Sequence, residues 1–239
     1  MSWLRFGRSA LSPQMLRRAV AALAHRLNST SDALGLRRDL SVPLEAPVAA
    51  MDITVRPIVE RDVPLILDSG APGLSDEERW LRTARRRLLD AGFGTCFVAV
   101  TADGQPCYMQ WLFSSRDNDR IQQYFGGTFP RLGSDEALLE SAFTPEAFRG
   151  KRIMPAAMAR IAEKAAGIGA RSVITFVGVD NIASLKGCAR AGFHPYAHCS
   201  QNWRFFRCRT IFRPYDGDGA AAADTAAIGR HGVPNTSGI

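Results

Sequence analysis

The sequence predicts an α/β or α+β fold, a mixed sheet with helices packed on it. Three observations carry this: strand-like and helix-like segments alternate between residues 51 and 215, a β-hairpin heads the series, and the hairpin feeds a β-α-β-α-β run. A core of that length buries about 70% of the surface its unfolded chain exposes, so it needs neither metal nor disulfide to fold. The balance of 46% hydrophobic and 22% charged residues excludes collagen, coiled coil and wholesale disorder. No apolar run approaches the ~20 residues of a membrane-spanning helix, so a soluble or at most membrane-peripheral chain is expected.

Taken in order, Ile53-Thr-Val-Arg-Pro-Ile is a short β-rich run, and Asp62 to Leu67 is a short helix with an acidic start. Ser75, followed three residues later by Glu78, is a capping box that opens a long helix through Leu89, which Ala91-Gly-Phe-Gly ends. Thr95 to Thr101 and Pro106 to Phe113 flank a turn containing Asp103-Gly104, the pattern of a hairpin. Gln122 to Pro130 reads either as a loop lining a substrate or as a further strand. Ala137 to Thr144 reads as a strand, Arg152 to Ala166 as a helix, Ser172 to Val177 as a strand, Ile182 to Ala191 as a helix and Phe205 to Phe212 as a closing strand.

The ends differ in composition from this middle. Seven arginines against three acids make residues 1–50 a basic arm. Within it, Leu16, Val20, Leu23 and Leu27 follow one helix face, with Arg17, Arg18 and His25 turned away. A transit segment, a helix lying on an anionic membrane surface, and a helical arm packed on its own domain are the three readings. Ser41 to Ala50, with two prolines, reads as a linker. Residues 216–239 are poor in large apolar side chains and read as a disordered tail. The expected organisation is therefore an arm and linker over 1–50, a catalytic domain over 51–215 and a tail over 216–239.

Five scattered cysteines without a CxxC pair predict free thiols in a reducing compartment, hence a cytoplasmic protein. A net charge of +7 favours an anionic ligand, nucleic acid or an anionic surface without choosing among them.

The chemistry concentrates at Phe143 to Met154. A strand ends at Phe143 and a helix begins near Lys151, with Arg149-Gly150-Lys151-Arg152 in the turn between them. Such a turn aims unpaired backbone N–H groups and the positive end of the helix dipole at one point, a ready phosphate site. After the next strand come Asn181, Ser184 and then Ala191-Gly192-Phe193.

These two passages together resemble the GNAT superfamily of acetyl-CoA-dependent N-acetyltransferases, over roughly residues 53–215, with the specific part in 137–196. The resemblance implies a mixed, mostly antiparallel central sheet with helices on both faces, whose fourth and fifth strands splay apart. Acetyl-CoA or another acyl-CoA then lies between them as co-substrate. Phe143, Thr144 and neighbouring backbone would hold the pantetheine, Arg149, Gly150, Lys151, Arg152, Ile153 and Met154 the pyrophosphate, and Asn181 and Ser184 the cofactor further along. Asn181 also reads as the N-cap of the following helix. The family usually has glycine where this chain has Arg152, Gly or Ala where it has Met154, and often a tyrosine acid where it has Cys188.

For the proton transfers, Glu140 on the strand leading into the turn is the candidate base, with Glu146 the weaker one. Cys188, Tyr196 and Tyr124 are candidate acids for the departing thiolate, although Cys188 equally reads as a small buried residue. The expected reaction is direct attack of a primary amine on the thioester. The competing readings are a CoA-binding or regulatory module that has lost catalysis, and a membrane-surface or nucleic-acid-binding protein acting through the arm.

Other signals read as structural. His194 and His198 are strand residues beside Pro195, so no metal is expected there. The alternating arginines and aromatics of Trp203 to Arg213 read as a strand with a basic outer face, and Arg85-Arg86-Arg87 as the wet side of the long helix.

Overall fold

The computed structural model describes residues 28–217. Its strands are β1 (Asn28–Asp39), β2 (Ile53–Pro57), β3 (Thr95–Thr101), β4 (Pro106–Ser114), β5 (Glu136–Phe143), β6 (Ser172–Gly178), β7 (His194–Arg204) and β8 (Arg207–Pro214). Its helices are α1 (Val63–Leu67), α2 (Asp76–Ala91), α3 (Asn118–Phe125), α4 (Ile153–Lys164) and α5 (Ile182–Arg190). All eight strands form one sheet in the order β2-β3-β4-β5-β6-β1-β7-β8. Every neighbouring pair is antiparallel except β5 and β6, which run parallel.

Strand alternation divides the apolar side chains between the two faces. Phe97 and Ala99 of β3 and Ala137 and Leu139 of β5 meet the alanine-rich side of α4 and Cys188 of α5. Cys96, Val98 and Val100 of β3 and Leu138 of β5 meet Ile66 of α1, Leu88 of α2 and Ile121 and Phe125 of α3. The helices thus cover both faces, as expected from the resemblance.

Local signals hold where the sequence is locally explicit. Ser75 caps α2 by accepting from the Glu78 N–H at 3.1 Å, and Gly92 ends that helix in the left-handed region at φ 66°. Only half of the expected capping box forms, because the Glu78 carboxylate turns instead to Arg82 and to the Glu146 N–H.

Three elements differ from expectation. Residues 28–39, which composition assigns to the basic arm, form β1, inserted between β6 and β7. The sheet therefore begins at residue 28 among the described residues, and not at 53. Its polar first half has little strand propensity of its own; pairing along both edges fixes it. Secondly, the stretch around Gln122 is α3 followed by a turn, with Phe125 and Phe129 buried in the core, and is not a strand. Thirdly, the closing strand is a hairpin. β7 and β8 turn at Phe205-Phe206, both with positive φ (46° and 66°), the backbone of a two-residue hairpin loop. The helix expected over Leu16 to Leu27 and nearly all of the expected tail lie outside the described residues.

Candidate active site

The parallel pairing of β5 and β6 is brief. Glu136 lies opposite Ser172, Ala137 opposite Val173 and Leu138 opposite Ile174, and the pairing stops there. β5 runs on to Phe143, still paired to β4 on its other edge, and β6 runs on to Gly178, still paired to β1. Two strand edges in the middle of a sheet thus run on side by side without bonding to each other, a gap in the pairing. The cause is visible in β5: Ser141 has a positive φ of 57°, and the β4–β5 register shifts between Met109 and Trp111. A bulge of this kind twists and bends its strand.

Past Phe143 the chain makes a 3-10 turn and then the basic turn that starts α4. Gly150 takes φ 78° and Arg152, the N-cap of α4, takes φ 55°; no side chain caps this helix. The first N–H groups of α4 are therefore open to a ligand, with the exposed side chains of Arg149 and Arg152 around them. Arg149 Nε donates to the Thr144 carbonyl at 3.3 Å, Lys151 Nζ lies 5.2 Å from the Phe148 ring centre, and the Lys151 carbonyl accepts from the Ala50 N–H. Ile153 is buried in the core. Met154 packs against α5, where a Cβ on Gly187 would collide with its sulfur, so a bare glycine on α5 makes room for the larger residue on α4.

Glu146 closes the other side of the turn. Its N–H donates to Glu78 at 3.1 Å, and its carboxylate accepts from the Ser75 hydroxyl at 2.5 Å. It ties the turn to the start of α2. Asn181 caps α5, its side chain accepting from the Ser184 N–H at 3.1 Å, so both residues are engaged by the helix start.

At the bulge, the structure brings together Glu140, Cys188 and three residues that sequence reasoning did not select: Arg85 of α2 and Tyr108 and Gln110 of β4. Glu140, Tyr108, Cys188 and Arg85 are close enough to shift one another's titration. Burial pushes Glu140 up to about 7, while the Ser141 backbone N–H and the Arg85 charge pull it back. A carboxyl poised there suits proton abstraction near neutral pH.

Cys188 is 1% exposed, and burial, with help from Glu140, pushes its thiol up to about 12. Its Sγ contacts Met158 Sδ at 3.8 Å. Tyr108 is fully buried, its hydroxyl donating to Gln110 at 2.8 Å, and burial raises it well above the usual phenol range.

Tyr196 stands on β7, which β1 separates from β6 and the gap. The Arg37 guanidinium stacks 4.3 Å from its ring centre, and burial raises its hydroxyl to about 12. Tyr124 packs against Phe93 and Phe125 beside α3. His194 and His198 lie on β7, His198 against Tyr215, and no set of metal-ligating side chains gathers among the described residues. A groove lined by Val59, Arg61, Pro64, Arg86 and Leu89 is separate from the gap, since none of its residues lies on β5 or β6. No helix among the described residues is long and apolar enough to cross a membrane.

Arg85 corrects a sequence reading: it is 4% exposed, whereas Arg86 and Arg87 beside it are exposed. The i, i+3 spacing from Arg82, also buried, was the available signal, since it repeats the period of an inward helix face.

No known family profile matches the sequence, and no curated protein does. Solved structures do match. A GCN5-related glucosamine N-acetyltransferase region of a fungal multi-domain GH3 β-N-acetylglucosaminidase is similar at a TM-score of 0.51 and 15% identity, over 83% of this chain and 24% of that one. A tandem GNAT protein from the clavulanic acid pathway matches at 0.47 and 15%, over 78% and 58%. A GNAT-family acetyltransferase from Colwellia psychrerythraea matches at 0.46 and 17%, over 76% and 59%. The chain thus spans under two thirds of the length of these structures. With one parallel pair splayed beside a bulge and a basic turn opening the next helix, residues 28–217 have the fold of the GCN5-related N-acetyltransferases.

Proposed function

We propose that the chain is an acyl-CoA-dependent N-acyltransferase, in the simplest case an acetyltransferase acting on a primary amine. The observation that carries this is the gap between β5 and β6, whose unbonded edges lead straight to the uncapped, basic start of α4. Backbone groups of an open strand edge bind an extended ligand as a further strand would, and the α4 start suits a pyrophosphate. Acyl-CoA fits both, supplying when bound an activated thioester carbonyl.

On this reading Arg149, Lys151 and Arg152 hold the phosphates with the N–H groups of Ile153 and Met154, and the edges at Leu139 to Phe143 and Thr175 to Gly178 hold the pantetheine. Asn181 and Ser184 support the site by fixing the start of α5. Glu140 takes the proton that the acceptor amine loses, its carboxyl being part ionised near pH 7. Cys188 serves packing, because a thiol near 12 is a poor proton donor to a thiolate of ordinary pKa about 8.5. All five cysteines are free, which supports work in a reducing compartment such as the cytoplasm.

Calorimetry with acetyl-CoA tests the reading: binding in the micromolar range is expected, and none at high micromolar concentration overturns it. Steady release of CoA with an amine panel would then remove the reading as a module without catalysis.

A further inference from the structure

Three arginines are buried among the described residues. Arg38, 4% exposed, donates to the Ala159 carbonyl at 2.9 Å and to Glu163 at 3.3 Å. Arg82, 7% exposed, holds Glu78 through Nε and Nη2 at 3.1 and 2.7 Å and the Asp68 carbonyl through Nη1 at 3.2 Å. Each has a carboxylate, although the Arg38 Nε is also buried without a partner. Arg85 has no carboxylate: its Nη2 donates to the Ala142 carbonyl at 3.0 Å, while Nε and Nη1 are buried without any partner.

An uncompensated buried guanidinium is costly, because its desolvation is repaid only by a close anion and filled hydrogen bonds. Two neighbours lessen this cost without removing it. The guanidinium lies 5.7 Å from the centre of the Phe143 ring. Glu140 is close enough to interact but forms no ion pair with it, and its carboxyl is only part ionised near neutral pH. The place is informative. Ala142, which accepts from Arg85, sits at the bulge of β5, on the gap side of the point where pairing with β6 ends. The guanidinium is therefore near Glu140 and bonded to the stretch of β5 that β6 leaves unpaired; on the acyltransferase reading, that is where the acyl group and the amine meet.

We propose that Arg85 is a specificity residue that binds a substrate carboxylate. The proposal rests on the acyltransferase reading for its location. A single buried cation matches one monoanion; a phosphate dianion would exceed it, and phosphates already have the separate basic turn. The carboxylate comes either from the acyl group, as in a dicarboxylic acyl-CoA, or from the acceptor, as in an α-amino acid. Both present the same planar anion to the same donors.

The test compares wild type with Arg85→Met, which keeps the apolar stem and should fold because it removes an uncompensated charge, and with Arg85→Lys, which keeps the charge. Thermal melting verifies folding. Calorimetry measures succinyl-CoA against acetyl-CoA for the donor source, and L-phenylalanine against phenethylamine with CoA present for the acceptor source. One arm should favour the carboxylate ligand by about 10-fold or more, as charge-assisted hydrogen bonds do. Arg85→Met should abolish that preference and Arg85→Lys should restore part of it. No preference in either arm, or the same preference in Arg85→Met, overturns the proposal and leaves Arg85 as a partner of Glu140 alone. If acetyl-CoA does not bind at all, the acyltransferase reading falls by itself. The carboxylate site then stands if succinate binds wild type and not Arg85→Met, and falls if succinate binds both alike or neither.

Discussion

Glu140 shows how one side chain links the fold to chemistry and to stability. Its carboxyl titrates near 7 because burial outweighs the Ser141 N–H and Arg85. If it is the base, kcat/KM should rise with pH through about 7. Glu140→Gln should remove that limb and lower kcat by about 10²–10⁴-fold, the usual worth of a positioned base; a pH–rate profile unchanged in shape would refute the role. Stability moves the opposite way. The unfolded chain releases this proton near 4.5 while the native state holds it to about 7, so in that window the native state binds more protons and loses stability as pH rises. Melting curves should therefore show Glu140→Gln gaining on wild type between pH 5 and 7 and holding its lead above. Cys188→Ala should leave kcat within about threefold of wild type, since the thiol's high pKa makes it a weak general acid; a loss of two orders of magnitude would reinstate it. Glu140 was legible because it precedes a legible turn by a few residues along one strand. Arg85 was not, because which arginine of a run faces inward depends on what packs against the helix.

Among the elements, the turn before α4 carries the sharpest tension between sequence and backbone. Arg152 occupies the left-handed region as N-cap, where an L side chain costs about 1–2 kcal/mol. The glycine usual at this place in the resembling family would adopt that geometry without strain. Arg152→Gly should raise the melting temperature by about 2–8 °C and at the same time weaken CoA binding. The part of the affinity that Arg152 supplies should shrink as salt is raised. Equal melting temperatures would show that the arginine does not strain the turn, and a salt dependence identical to wild type that it meets no phosphate. Elements with local punctuation were legible in this way: the Ser75 cap, the Asp103-Gly104 hairpin, the Arg149–Arg152 turn. The Phe205-Phe206 turn was hidden because it lacks the Asn-Gly or Asp-Gly pair that marks such loops, and the end of α3 because the Tyr, Phe and Gly content of Gln122 to Pro130 suits strand and loop equally.

At the scale of the whole molecule the sheet depends on β1. β7 does not pair with β6; β1 lies between them, Ala33–Asp39 against β6 and Asn28–Arg37 against β7. It also brings in Leu36, 3% exposed, and Arg38, whose guanidinium reaches α4. Because β6 is the outer wall of the gap, β1 holds that wall on its far side. None of this is legible locally: the Asn-Ser-Thr-Ser-Asp start has the composition of a loop, and its partners lie more than 130 residues away. Strand identity here is a property of the assembled sheet. A chain beginning at residue 51, the boundary that composition suggests, would leave β6 with an open edge and the β7–β8 hairpin without its link to the sheet. Such a chain should melt at least 10 °C lower or aggregate through the exposed edges, and it should lose acetyl-CoA binding, whereas one beginning at residue 28 should retain both. A chain beginning at 51 that melted and bound like the full chain would mean that β7 can close directly onto β6, and that β1 only overlays a sheet already complete.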